Sequence, residues 1–277
     1  MKENSFVGVG GLKIHTSTWT PDGDPIAVVV ICHGVNSHSG QHAWSAEQFV
    51  KDGYAVYAHD HRGRGQSEGE RFYVDDVKEY VDDLATFIGI AKSENPGKAV
   101  FLLGHSMGGV VSCTYALDYQ SEIDGFICES FAFQVPAPDF ALAVLKGLAH
   151  VTPHAHVLKL HNKDFSRDPA AVAALDADPY TQGEVQPVKT VAALVMADDR
   201  LRKEFSKITL PVLIMHGTED KATKPSGSQE FYDHAGSTDK TLKFYEGHFH
   251  DLLNDFGKEE VMADIRAWVG ARIPVTA

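Results

Sequence analysis

Apolar residues along this chain fall in short, nearly continuous runs that are separated by longer amphipathic stretches. The runs "AVVVICHG", "YAVYAHD", "KAVFLLG", "IDGFICES" and "PVLIMHG" are rich in β-branched residues, which is typical of strands covered on both faces. Between them, "QHAWSAEQFVKDG" and "DDVKEYVDDLATFIGIAKSEN" repeat apolar residues at helical spacing. This alternation predicts an α/β protein whose parallel sheet carries helices on both faces.

The two ends of the chain complete the predicted sheet. "SFVGV" and "LKIHTSTW" predict an opening antiparallel pair, and "KTLKFYE" predicts a last strand. Further helices are predicted from Met107, near Gly227 to His234, and near Lys258 to Val269. The sheet therefore has eight strands, mostly parallel.

Residues 131–208 interrupt the alternation. The segment is too long for a loop in a compact domain, and we interpret it as a mostly helical lid inserted between two core strands. The predicted domains are a core in two parts, 1–130 and 209–277, with the lid at 131–208. Prolines divide the lid into short pieces; they are Pro136, Pro138, Pro153, Pro169, Pro179 and Pro187.

Composition and charge exclude several classes of protein. The formal net charge of −13 disfavours binding to the phosphate backbone of nucleic acids. The opening "MKENSFVGVGG" lacks the apolar core of a signal peptide, and no run reaches the roughly 18 apolar residues of a membrane span. Cys32, Cys113 and Cys128 lie in separate apolar stretches without a Cys-x-x-Cys pair, which favours reduced, buried thiols. We expect a cytoplasmic protein, and the sequence sets no oligomeric state.

The stretch "GHSMG" (Gly104 to Gly108) carries the strongest chemical signal. It follows a predicted strand and opens a predicted helix, the context of a nucleophile elbow. The serine of such an elbow sits on a sharp, strained turn, and the residues two before and two after must be small. The sequence predicts Ser106 as a nucleophile for acyl transfer.

Acyl transfer also requires donors for the oxyanion that forms in the transition state. In this fold, one donor is the backbone N–H of the residue after the nucleophile, which is Met107. The other comes from the loop after the third strand, where "HGV" places Val35. We predict an oxyanion hole made of these two N–H groups.

A serine nucleophile needs a base and a carboxylate that orients it. "HGTED" follows the seventh strand, and we choose Asp220 over the adjacent Glu219 because it stands three residues past Gly217, where the chain can fold back. Two histidines follow the last strand. His250 has more loop beyond Gly247 with which to reach the serine than His248 has, so His250 is the predicted base.

No cofactor or metal is predicted. Four lid histidines crowd one region, but their irregular spacing gives no shared face for the three or so converging ligands of a metal site. They are expected to form a partly solvated surface, and they are His150, His154, His156 and His161.

Four stretches together resemble the monoacylglycerol lipases, a serine aminopeptidase S33-like family of the α/β-hydrolase superfamily. They are "HGVNSHSG", "AHDHRGRGQSEGER", "VFLLGHSMGG" and "DKTLKFYEGHFH". The resemblance implies an α/β-hydrolase fold with a Ser106–Asp220–His250 triad. In this family the base is the third residue after the glycine of "YEG", which again is His250. It implies hydrolysis of esters through an acyl-enzyme. The apolar lid stretch "DFALAVLKGLAHV" (Asp139 to Val151) indicates substrates with a hydrophobic acyl group. This stretch predicts a lid helix packed on the core in preference to a face exposed to acyl chains or to transient contact with a membrane or micelle.

Other activities stay open. A broad-specificity carboxylesterase or a lysophospholipase would use the same residues, and so would an acyltransferase or a peptidase. A binding protein on a retired hydrolase fold is a further alternative, although no triad member is missing. The loop "HGVNSHSGQH" also departs from the family, which often has Gly, Glu, Arg and Tyr where this chain has Asn36, Ser37, Gln41 and His42. This departure predicts weak recognition of a glycerol headgroup.

Overall fold

Strands make up two sheets in the computed structural model, which describes residues 1–136 and 138–273. The strands are β1 Lys2–Val7, β2 Lys13–Trp19, β3 Val28–Cys32, β4 Ala55–His59, β5 Val100–His105, β6 Gly125–Glu129, β7 His156–Leu158, β8 Gln186–Pro187, β9 Val212–Gly217 and β10 Lys240–Tyr245.

The main sheet has eight strands in the order β1-β2-β4-β3-β5-β6-β9-β10. The opening strands pair antiparallel with each other and β2 pairs antiparallel with β4, whereas the neighbours from β4 to β10 run parallel. The prediction of a mostly parallel eight-stranded sheet is confirmed. Its first strand begins earlier than predicted, at Lys2 instead of Ser5, and ends at Val7, because a short 3₁₀ turn at Val9–Gly11 follows it.

Helices cover both faces of this sheet. Along β3, Val28, Val30 and Cys32 face one apolar core on one side of the sheet, whereas Val29 and Ile31 face a second core on the other side. This double burial explains the continuous apolar runs. The helices are α1 Ala43–Lys51, α2 Val77–Glu94, α3 Met107–Tyr119, α4 Asp139–Leu148, α5 Pro169–Ala177, α6 Val188–Glu204, α7 Pro225–His234 and α8 Lys258–Gly270.

The segment 131–208 contains α4, α5, α6 and the small antiparallel pair of β7 and β8. Its prolines do not all break helices as the sequence predicts. Pro138 and Pro187 immediately precede α4 and α6, and Pro169 is the first residue of α5, positions where the missing N–H costs nothing. The 17-residue α6 is therefore longer than the short pieces expected.

The parallel strands bring several loops to one edge. β3, β5, β9 and β10 all end at the carboxyl edge of the sheet, where ligands of open α/β sheets bind. The predicted site residues follow these four strands. Within the described ranges, no helix combines the length and the apolar character needed to cross a membrane.

Candidate active site

Ser106 occupies a strained turn between β5 and α3. Its φ of 56° and ψ of −119° lie in a region that costs a non-glycine residue about 1–3 kcal/mol. Gly104 and Gly108 make the turn sterically feasible. A Cβ on Gly104 would lie 2.6 Å from the Gly108 carbonyl oxygen, and one on Gly108 would collide with the Cys32 carbonyl. The serine is held where its hydroxyl projects beyond the sheet edge.

His250 lies directly against this serine. Its Nε2 is 2.8 Å from Ser106 Oγ, and its side chain is fully buried. Gly247 has a φ of 72°, so the chain turns there before it reaches the serine. His248 stands elsewhere: it is half-buried, and its Nδ1 bonds the Glu246 carbonyl at 3.2 Å. The structure brings His250, and not His248, to Ser106.

Asp220 is the hub of the hydrogen bonds behind His250. Its Oδ2 lies 2.7 Å from His250 Nδ1 and 3.0 Å from His216 Nε2, and it accepts from the Thr223 hydroxyl at 2.8 Å. Its Oδ1 accepts the backbone N–H groups of Ala222 and Thr223 at 2.7 and 2.9 Å. Every oxygen of this buried carboxylate is thus supplied with donors.

These partners also set the charge of Asp220. Burial alone raises the pKa of the carboxyl, but the two histidines His250 and His216 and their hydrogen bonds outweigh it, and the pKa falls well below its usual range. The group is ionised at any working pH. Glu219 is exposed and only its backbone N–H bonds nearby, to the His248 carbonyl at 3.0 Å. Of the two acids, Asp220 is the one placed against the histidine.

The two residues predicted to form the oxyanion hole lie near Ser106. Val35 and Met107 line one cavity together with Ser106. Met107 is the first residue of α3, where an N–H has no partner within the helix. The approach is close: a Cβ on Gly34 would lie 2.9 Å from Ser106 Cβ. Val35 and Met107 therefore both lie beside Ser106 at the cavity, and their role as oxyanion donors remains a prediction.

The cavity in front of Ser106 has a volume of about 800 Å³, within the range of small-molecule sites. Much of its wall comes from the segment 131–208, which also supplies charged residues at one side. Its apolar wall includes Val110, Phe133, Leu142, Leu145, Val191 and Leu194.

The loop after β3 is tied to the segment 131–208 by polar contacts. Asn36 Nδ2 donates to Asn162 Oδ1 at 2.9 Å, and Gln41 Nε2 donates to Asp178 Oδ2 at 2.8 Å. His42 is buried, and burial lowers its pKa to about 4. The two amides that could have bound a substrate hydroxyl therefore already have protein partners.

Comparison with known proteins decides the family. The chain matches the family model described as serine aminopeptidase, S33, over residues 23–256. A monoacylglycerol lipase of Mycolicibacterium smegmatis is 36% identical over 271 residues, which are 96% of this chain and 96% of that protein. The chain belongs to the S33 family.

Two further relatives show the breadth of the similarity. The crystal structure of Paleococcus ferrophilus monoacylglycerol lipase matches with a TM-score of 0.84 at 30% identity, and the match covers 94% of this S33 hydrolase and 99% of that chain. Caffeoylshikimate esterase of Arabidopsis thaliana is 31% identical over 94% of this chain and 83% of that protein. The predictions of an α/β-hydrolase and of an ester hydrolase similar to monoglyceride lipases are confirmed.

A buried polar group behind the triad was not predicted from the sequence of this S33 hydrolase. Glu129 ends β6 beside His105, and Asp251 follows the histidine at 250; one ligand atom of each lies within 4.8 Å of the others. Burial and the neighbouring Asp251 raise the pKa of Glu129 well above its usual range. Its Oε1 accepts the Leu253 N–H at 3.3 Å. Although these side chains have the spacing of metal ligands, the contact with Leu253 gives Glu129 a role in holding the loop.

His154 and the three cysteines of this S33 hydrolase lie outside the hydrogen-bonded group of Ser106, His250 and Asp220. His154 bonds Glu70 at 2.7 Å and stacks on Tyr73, so it packs on the surface of the core. Cys32, Cys113 and Cys128 are buried and unbridged. Burial raises the pKa of Cys32 to about 12 and those of the other two well above their ordinary value, which leaves them as unreactive thiols.

Two supports of the triad were also missed. Neither Thr223 nor the contact of His216 with Asp220 was predicted from the sequence. The signal for Thr223 was local, because a threonine three residues after an aspartate can bond its carboxylate in a turn. His216 had no local signal, since it reaches Asp220 only after the end of β9 folds back.

Proposed function

We propose that this S33 hydrolase cleaves monoacylglycerols and related esters of hydrophobic acyl groups with Ser106 as nucleophile. The single observation that carries the proposal is the hydrogen-bonded chain Ser106–His250–Asp220, which opens into a large, mainly apolar-walled cavity. The names of the relatives support the substrate class.

The proposed reaction follows from the positions of the atoms. Ser106 Oγ attacks the ester carbonyl carbon as its proton passes to His250 Nε2. The N–H groups of Val35 and Met107 stabilise the oxyanion, and each such donor is worth about 3 kcal/mol. The histidine then protonates the leaving alcohol, and an acyl-enzyme remains.

Water completes the cycle. It attacks the acyl carbonyl as His250 takes one of its protons, and collapse of the second tetrahedral intermediate returns that proton to Ser106 and releases the acid. Asp220, kept ionised by its partners, stabilises the imidazolium in both halves of the reaction. These steps use side chains, two backbone N–H groups and water.

We propose that residues 131–208 act as the lid between core parts 1–130 and 209–277. Three apolar residues of α4, Phe140, Val144 and Leu148, recur every fourth position and are exposed by 73%, 56% and 41%. Such a stripe favours transient contact with a membrane or micelle surface. The buried, unbridged thiols support a cytoplasmic location for the enzyme.

A broader alcohol specificity is the second candidate. It is favoured by the contacts of Asn36 and Gln41 with the lid, which leave fewer groups for glycerol hydroxyls. A site lacking such groups discriminates little between alcohols. A carboxylesterase or a lysophospholipase activity would then accompany the monoacylglycerol activity.

A panel of matched esters tests the proposal. We expect kcat/KM for an ethyl or p-nitrophenyl ester to lie within about tenfold of that for the monoacylglycerol of equal acyl length, a gap of roughly 1.4 kcal/mol. A hundredfold preference for monoacylglycerol would exclude the broader specificity. Product that depends on added alcohol or amine would indicate an acyltransferase or a peptidase, and lack of turnover with every ester would leave a binding protein.

A further inference from the structure

A carboxyl group interrupts the cavity wall formed by α6. Val191, Val195, Asp198 and Arg202 recur at intervals of three or four residues and all line the cavity in front of Ser106, as one face of a helix does. Val191 and Val195 belong to the apolar wall. Asp198 follows these valines along the face, where the apolar wall gives way to the charged side chains of Arg202, Asp199 and Lys146 in the same cavity.

Asp198 has no bonding partner in the part of the chain that the structure describes. Its Oδ1 is shielded from solvent and accepts no hydrogen bond. The cations nearby are engaged by other acids: Lys146 pairs with Asp199, and Arg202 pairs with Glu230 at 2.8 Å. Asp198 as a whole is half-buried and lines the cavity, so a ligand there can bond its other carboxyl oxygen, Oδ2, which is not shielded.

The surroundings also determine which ligand atoms suit this carboxyl. Burial raises the pKa of Asp198, and the opposing influence of Arg202 and Lys146 does not cancel it, so the pKa lies well above the usual range. This shift favours the protonated form, which has one O–H donor and a carbonyl acceptor. A neutral oxygen that both donates and accepts, as a hydroxyl does, matches it better than an amine.

We propose that Asp198 hydrogen-bonds a hydroxyl carried on the acyl chain of the substrate, so that the enzyme prefers hydroxyacyl esters to unsubstituted esters. The inference rests on the proposed function and adds the class of acyl group. A site with a polar group that a plain alkyl chain leaves unpaired discriminates against that chain. The preference depends on which carbon of the acyl chain carries the hydroxyl, because Asp198 lies at one fixed distance from Ser106 along the cavity.

A positional series tests the proposal. Monoacylglycerols of hexadecanoic acid, unsubstituted or with one hydroxyl at successive carbons, are compared by kcat/KM in the wild-type enzyme. We expect at least a tenfold preference, about 1.4 kcal/mol, for one position or two adjacent positions. Asp198→Leu should lower that preference ratio at least tenfold, whereas Asp198→Asn, which can still donate and accept, should keep most of it.

Controls separate this inference from the proposed function. Met196→Leu places the same leucine at an exposed site of α6 and should leave the ratio as in wild type. Thermal melting verifies that each variant folds, and Asp198→Leu should melt at or above the wild-type temperature because it removes an unpaired buried group. If no ester is hydrolysed, the proposed function fails. If esters are hydrolysed without a positional preference, or if the preference survives in Asp198→Leu, the inference about Asp198 is wrong.

Discussion

The hydroxyl of Thr223 donates to Asp220 Oδ2 at 2.8 Å, and this is the same oxygen that lies 2.7 Å from His250 Nδ1. Thr223 comes three residues after the aspartate, just before α7 begins at Pro225. Its hydroxyl and its backbone N–H hold both oxygens of the carboxylate. The orientation of Asp220 toward the histidine is thus fixed by the loop that follows it.

Thr223→Val should therefore weaken catalysis through Asp220. Valine has a similar shape but no hydroxyl, and a hydrogen bond to a charged group is worth about 1.5–3 kcal/mol. We expect kcat to fall by roughly tenfold or more with little change in KM, and Thr223→Ser to restore most of it. An unchanged kcat in the valine variant would show that the other donors orient Asp220 without help.

The choice between the two adjacent acids gives a matched pair of variants. Asp220→Asn removes the charge that stabilises the imidazolium and should lower kcat by about 10⁴-fold. Glu219→Gln makes the same chemical change at an exposed side chain and should leave kcat within about twofold. The assignment would be refuted by the reverse order of the two effects in steady-state kinetics.

The two histidines after β10 give a second pair. His250→Ala should abolish turnover, because among the described residues it removes the only ring nitrogen within hydrogen-bonding distance of Ser106 Oγ. His248→Ala should keep most activity, since its ring contacts the Glu246 carbonyl and Tyr245. Single-turnover assays with an activated ester would show the base to be misassigned if His248→Ala were the inactive variant.

The stability of the protein should depend on pH through Glu129. Burial and Asp251 raise the pKa of Glu129 in the folded state, so the protonated acid stabilises the folded protein. This contribution to the free energy of unfolding is present below about pH 4.3 and is lost as pH rises through the raised pKa. Glu129→Gln mimics the protonated acid and does not titrate.

The melting temperature of Glu129→Gln, relative to wild type, should therefore increase between about pH 4 and pH 8. A tenfold change in proton affinity is worth about 1.4 kcal/mol, which shifts the melting temperature of a chain of this size by roughly 3 °C or more. The measurement is a thermal melt of both proteins at each pH. A difference that stays constant over this range would mean that Glu129 titrates normally.

The fold could be predicted because its signals are local. The apolar runs that form β3, β5 and β9 are buried on both faces. Runs of this kind are compatible with few architectures other than a sheet covered by helices on both faces. The positions of Ser106 and the loop of His250 could also be anticipated, since a small-residue turn after a strand and a glycine after the last strand can both be seen in the sequence.

Some of the unpredicted features depend on contacts between distant parts of the chain. Nothing near Glu129 indicates that it ends beside Asp251, because the two meet only when β6 and the loop after β10 reach the same sheet edge. In the sequence, Asp198 has the appearance of a solvated acid next to Asp199. Both line the cavity in the structure, and the pairing of Asp199 with Lys146 distinguishes them. The long α6 was missed because Pro187 was interpreted as a break, whereas it stands at the start of the helix.

Labelling with a fluorophosphonate tests most directly whether Ser106 is the nucleophile. The probe reacts with a serine only where a base and an oxyanion hole activate it. Peptide mass spectrometry of the folded enzyme should find fast, stoichiometric modification at Ser106, with loss of esterase activity at the same rate, and no labelling in Ser106→Ala. Rapid labelling of a different serine, or esterase activity retained in Ser106→Ala, would show that Ser106 is not the nucleophile.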